Sequence, residues 1–165
     1  MRSRPVDEKR LEGEEPKTYA MRLAREKAHA AWEALDEVAL GADTIVVVQD
    51  PSLGELVLEK PEDEDDARSM LRMLAGREHL VITGICLRTA EGAIVDHAET
   101  RVRFAEMSDA EIDEYVASGE PMDKAGAYAI QGLASKFIER IEGSYTNVVG
   151  LPVELVYRYW KKMAG

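Results

Sequence analysis

The chain has 165 residues, enough for one domain, 1–165, with a real hydrophobic core. Its formal net charge of -11 excludes the broad basic footprint that nucleic-acid or anionic-membrane binding needs. A lone cysteine, Cys86, excludes a disulfide framework or a thiolate zinc site, and the three histidines (His29, His79, His97) show no metal-ligand spacing.

Pro16 suits the first position of a helix, and EEPKTYAMRLAREKAHAAWEALDEVA continues with good helix formers. The expected inner stripe is Tyr19, Ala20, Leu23, Lys27, Ala31, Ala34, Leu35 and Val38. Lys27 interrupts it, either snorkelling its amine to water or aiming an ammonium into a cleft. In GADTIVVVQD, 41–50, Ile45 to Val48 read as a buried strand with Asp43 and Thr44 at its mouth. An aspartate after Gly41 caps a turn as readily as it serves as a general base or binds a divalent cation, and the residues leave both roles open.

QDPSLGE is a turn, and ELVLEKP a second strand forming a hairpin with the first. Lys60, before Pro61, is expected in extended backbone. DEDDARSMLRMLA reads as a helix with acids in its first turn and Gly76 past its end. The strands HLVITGICLRT and AIVDHAETRVRFAEM follow, joined by AEG, and Ser108 with Glu111 forms a capping box for the helix around DAEIDEYVAS. A Gly-rich segment leads to a last helix from Pro152. Helices alternating with strands and hairpins predict an α/β fold: a mixed, twisted sheet flanked by helices.

Within the Gly-rich segment, DKAGAYAIQG (123–132), if extended, puts Ala125, Ala127, Ala129 and Gln131 on one face. That makes either a shallow floor under a flat ring or a close crossing of strands. A Gln amide donates and accepts at once, which matches the imide edge of uracil or thymine. Ser144, Thr146 and Asn147 offer loop hydrogen bonds. An anionic substrate on so acidic a chain requires a local nest of cations or a metal ion. No signal peptide is visible and no apolar run is long enough to span a membrane, so the expected address is the cytoplasm.

These stretches together resemble the Maf nucleoside triphosphate pyrophosphatases, related in fold to the inosine triphosphatases. The matching pieces, in family order, are VDE (6–8), YAMRLAREKA (19–28), GADTIVV (41–47), LEKP (58–61), DKAGAYAIQG (123–132) and GSYTNVVGLP (143–152). The resemblance implies an active-site cleft between two lobes and hydrolysis of a nucleoside triphosphate to the monophosphate and pyrophosphate. It implies Mg²⁺ or Mn²⁺ as cofactor, a cytoplasmic and often homodimeric protein, and for some members a link to septum formation. Asp43 matches the family's catalytic aspartate and is also the candidate metal ligand. Glu8, Lys27 and Lys60 match charged cleft positions, and Thr44 and Gln131 match positions linked to base selection. The AYAIQG form resembles the subgroup acting on dTTP and UTP, including modified pyrimidine nucleotides.

Family members open with a strand and an S-x-S-P-R-R phosphate loop. The chain begins after that unit, and SRP at 3–5 is not its equivalent. Its absence implies an unpaired sheet edge and lost arginine contacts to phosphate. A second reading is therefore a non-catalytic nucleotide-binding or division-regulating module. A third keeps the fold and moves the substrate to purine triphosphates.

Overall fold

The apolar run Ile45–Val48 and the apolar-rich stretch LVITGICL (80–87) fall in adjacent strands of the sheet. In the computed structural model, which describes residues 6–164, these are β1 (Ala39–Asp50) and β3 (Glu78–Thr89). The other strands are β2 (Gly54–Leu58), β4 (Gly92–Phe104) and β5 (Ile138–Glu142), in the order β2-β1-β3-β4-β5. The helices are α1 (Pro16–Ala31), α2 (Glu64–Leu74), α3 (Asp109–Ala117), α4 (Tyr145–Val149) and α5 (Val153–Ala164). The α/β architecture with flanking helices is as expected, and the pairings among the described residues are all antiparallel. Short links such as Ala90–Glu91 between β3 and β4 permit no crossover and so fold neighbouring strands back on each other. The SRP fragment lies outside the described residues.

Side chains alternate across the sheet and build two cores. On one face Ile45, Val47 and Ile82 pack against Tyr19, Ala20 and Leu23 of α1. On the other, Val46, Val48, Val81, Val102 and Phe104 pack against α2 and α3. The capping box of Ser108 and Glu111 opens α3 as the sequence predicts.

The seat of α1 depends on small residues. Ala20, Ala24 and Ala28, spaced at i, i+4 and i+8, form a flat seam over Gly84, Gly41 and Cys86. A Cβ at Gly84 would lie 2.3 Å from the Ala20 carbonyl oxygen, and one at Gly41 would lie 2.1 Å from that of Ala24. Both obstacles are backbone, so only movement of the helix relieves them. Gly84→Ala is therefore expected to cost about 2–3 kcal/mol of stability, the upper range for overpacking, measured by denaturant unfolding.

Several elements differ from expectation. Helix α1 ends at Ala31 instead of running to Val38. Trp32 turns extended, its indole N–H donates to the Glu37 carbonyl, and Arg88 stacks on its ring. The segment 32–38 is the reversal that returns the chain to β1, which leaves Leu35 77 % exposed, outside any core. Strand β1 starts at Ala39, so Asp43 lies within the strand, opposite Gly84, and does not cap a turn. The polar stretch before Ile45 is held extended by pairing with β3, which apolar periodicity does not register.

DKAGAYAIQG is not an extended floor. It forms short 3-10 turns over Glu120–Asp123 and Ala125–Ala127, with Gly126 and Ala127 both at positive φ. The alternation that would align Ala125 with Gln131 is thereby lost. Glu120 fixes these turns, accepting from the Tyr115 hydroxyl at 2.8 Å and from the Leu133 N–H at 3.0 Å. Strand β5 is a strand that the sequence pattern hides, because a register shift at Arg103/Phe104 disrupts its alternation. Among the described residues no helix is long and apolar enough to cross a membrane.

Candidate active site

Strand β1 pairs with β3 over Ala39–Val47 but with β2 only over Val46–Asp50. Among the described residues, its first half therefore has one open edge. A cleft of about 300 Å³ runs there, lined by the consecutive residues Ala42 to Val46. Consecutive strand residues point to opposite faces, so a cleft that wraps the edge receives both. Asp43 contributes from the α1 face and Thr44 from the other.

At the charged end, the Lys27 ammonium lies 2.5 Å from Asp43 Oδ1 and 2.7 Å from Glu8 Oε1. Lys27 reaches Asp43 because α1 sits so close to the sheet. Glu8 is brought in by the segment preceding α1. Arg22 binds the Glu14 carboxylate at 2.7 Å and the Lys9 carbonyl at 3.0 Å, pinning that segment to the helix. The Tyr19 hydroxyl, buried beneath, contacts the Glu8 carbonyl and the Glu59 carboxylate. Burial first, then Glu59, pushes that phenol above its usual range.

The side chain of Asp43 is only 12 % exposed and that of Lys27 28 %. Burial raises the Asp43 carboxyl above the ordinary aspartate range, and Lys27 offsets this only in part. Burial acts against the Lys27 charge, but hydrogen bonds to Asp43 and Glu8 outweigh it and leave its pKa raised. The Glu8 carboxyl is lowered, chiefly by its hydrogen bond to Lys27. The site thus holds one ammonium between two unlike carboxylates, of which Asp43 is the more basic in tendency.

Lys60 and Lys124 also line the cleft. Lys124 pairs with Asp123 at 2.7 Å, while Lys60 has no ion-pair partner among the described residues. The opposite end is less polar, with Val46, Val81, Tyr128, Val148 and Val149 around Thr44. Tyr128 is braced from behind by the buried His79, whose Nε2 lies 2.8 Å from the phenol oxygen. Burial lowers the His79 pKa to about 4. The charged lining is four carboxylates (Glu8, Asp43, Glu59, Asp123) and the two lysines Lys60 and Lys124, beside an apolar wall, which suits a ligand with a flat head and an anionic tail that carries a cation with it.

The model of the Maf-like protein family matches residues 1–163. The chain belongs to the Maf family. Its similar relatives include proteins named dTTP/UTP pyrophosphatase. One, from Koribacter versatilis, is 52% identical over 158 residues, covering 95% of this chain and 79% of the relative. Another, from Anaeromyxobacter dehalogenans, is 51% identical, covering 93% and 77%. A third, from Hahella chejuensis, is also 51% identical, covering 92% and 75%.

Of the residues singled out by resemblance to the Maf family, the structure brings Glu8, Lys27, Asp43, Thr44 and Lys60 together. Glu8, Asp43, Thr44 and Lys60 line the cleft, and Lys27 bonds two of them. Gln131 is exposed in the turn after Ile130 and is not among the lining residues, because the turns at 120–127 redirect the chain. Tyr19, Glu59, Lys124 and Tyr128 went unassigned in the sequence, although each lies inside a Maf-like stretch. Thr83, behind Thr44, carried no signal.

Proposed function

We propose that this cleft hydrolyses the pyrimidine nucleoside triphosphates dTTP and UTP to the monophosphate and pyrophosphate. The role is clearance of the nucleotide pool, set in the cytoplasm. The observation that carries it is the Lys27 ammonium between Asp43 and Glu8 in a cleft that Lys60 and Lys124 also line. Lys60, which has no ion-pair partner among the described residues, is placed to meet an anionic ligand, and the carboxylates beside it call for a divalent cation between them and the phosphates. The printed names of the relatives supply the substrate class.

In this reading the triphosphate lies at the charged end and the base at the Thr44 end. Asp43, its carboxyl raised by burial, accepts a proton from the attacking water as the water oxygen bonds to phosphorus. The bond from that phosphorus to the pyrophosphate oxygen breaks, and the electron pair leaves with pyrophosphate. Lys27 holds the Asp43 carboxylate in place. Lys60 and Lys124 meet charge on the phosphates in a partly enclosed site, where fixed charges act strongly.

The donor chemistry fits a hard divalent cation. Glu8, Asp43 and Glu59 offer carboxylate oxygens along the cleft, although no group of three or more His, Cys, Asp or Glu could hold a metal ion unaided among the described residues. Asp43 and Glu8 would hold Mg²⁺ or Mn²⁺ jointly with substrate oxygens, as Mg²⁺ is often bound. When bound, the ion neutralises phosphate charge and stabilises the departing pyrophosphate.

The test is a panel of UTP, dTTP, CTP, GTP and ITP with Mg²⁺ or Mn²⁺, followed by pyrophosphate release. Higher kcat/KM for UTP and dTTP is expected. Preference for a purine triphosphate overturns the pyrimidine assignment, and saturable binding without pyrophosphate release overturns hydrolysis.

A further inference from the structure

Thr44 and Thr83 face each other across β1 and β3, with hydroxyl oxygens 2.8 Å apart. Each hydroxyl has one proton to give. Thr83 is fully buried and also reaches the Asn147 carbonyl at 3.2 Å. Thr44 also reaches the Gly150 carbonyl, at 3.4 Å. Two arrangements use these contacts. In one, Thr44 donates to Thr83 and Thr83 donates to the Asn147 carbonyl. In the other, Thr83 donates to Thr44 and Thr44 donates to the Gly150 carbonyl. In both, the single proton of Thr44 is spent inside the wall, and its oxygen faces the cleft as an acceptor.

The wall behind is rigid. The Asn147 amide donates to the Val81 carbonyl at 3.1 Å and to the Thr100 hydroxyl at 2.9 Å. The Ser144 N–H also donates to Thr100, at 3.0 Å. These bonds fix α4, whose carbonyls at Asn147 and Gly150 receive the proton in either arrangement. The first arrangement keeps the shorter of the two carbonyl contacts, 3.2 Å against 3.4 Å, and in it turning the Thr44 proton outward surrenders the 2.8 Å bond to Thr83, so a ligand N–H is met more favourably than a ligand acceptor.

We infer that Thr83 acts as a positioning residue that sets Thr44 as a hydrogen-bond acceptor toward the base, selecting an imide N–H. This rests on the nucleotide reading of the cleft. Uracil and thymine carry a proton on N3, whereas cytosine has a bare acceptor nitrogen at the same place. The device thus discriminates UTP from CTP, two ligands of nearly equal shape.

The experiment compares kcat/KM for UTP and CTP, and the affinities of UMP and CMP by calorimetry, in the wild type and in Thr83→Val, Thr83→Ser and Thr44→Val. The wild type is expected to favour the uracil ligands. Thr83→Val is expected to reduce that ratio about fivefold, the scale of one neutral hydrogen bond, while Thr83→Ser restores it. Thr44→Val is expected to reduce it at least as much, and Thr83→Ala, read in the same way, provides the test of Thr83 if Thr83→Val does not fold. A wild-type ratio in folded Thr83→Val, or in Thr44→Val, overturns the inference, as does a wild type that handles UTP and CTP alike. Turnover of both by the wild type would still leave the hydrolytic reading standing. Absence of turnover would sink that reading while the monophosphate affinities still report the selectivity.

Discussion

Asp43→Asn is expected to lower kcat for UTP hydrolysis by about a thousandfold, within the range for loss of a positioned general base, with KM changed far less. Asparagine keeps the shape and the 12 % exposure of the site, so the sheet and the seat of α1 should survive. What it loses is the proton acceptor and the anionic partner of Lys27. Steady-state kinetics on the folded variant, with circular dichroism to verify the fold, separates chemistry from structure. An Asn variant with near wild-type kcat would remove Asp43 from the reaction.

Lys27→Ala is expected to act on both activity and stability. In the wild type, burial raises the Asp43 carboxyl and Lys27 pulls it partly back. Without Lys27 the carboxyl rises further, so the acid limb of kcat/KM against pH should move to higher pH. The stability effect has a definite sign. A carboxyl raised above its unfolded value makes the folded state bind more protons, so stability falls as pH rises through the raised value. The deficit of the variant should therefore be largest at neutral pH, about 3 kcal/mol for a carboxylate left buried without its partner, and should shrink on acidification. That figure sits at the low end for buried pairs because Lys27 keeps some contact with water. Denaturant unfolding at neutral and mildly acidic pH measures it, and a deficit that grows on acidification would contradict the assignment.

These two residues show where the sequence was informative. Lys27 interrupts an apolar helical stripe, and a charge on a core-facing surface is visible from spacing alone. Its target was not visible, because the reach to Asp43 depends on how closely α1 approaches Gly41 and Gly84, a property of two elements together. Asp43 looked like a strand-mouth residue because the strand signal starts at Ile45, while the actual strand begins at Ala39 through pairing with β3. The capping box at Ser108 was readable because its chemistry is local. Gln131 was placed by an alternation that requires extended backbone, and the positive φ of Gly126 and Ala127 removes that premise. Thr83 is an ordinary strand threonine in sequence, and its contact with Thr44 is set by cross-strand register alone.

The most direct test of the account is to follow the products of UTP by phosphorus NMR, with Mg²⁺ present, for the wild type and for Asp43→Asn. One UMP and one pyrophosphate are expected for each UTP consumed by the wild type, and almost no consumption by the variant. UDP and inorganic phosphate as products, or equal turnover in the two proteins, would contradict it.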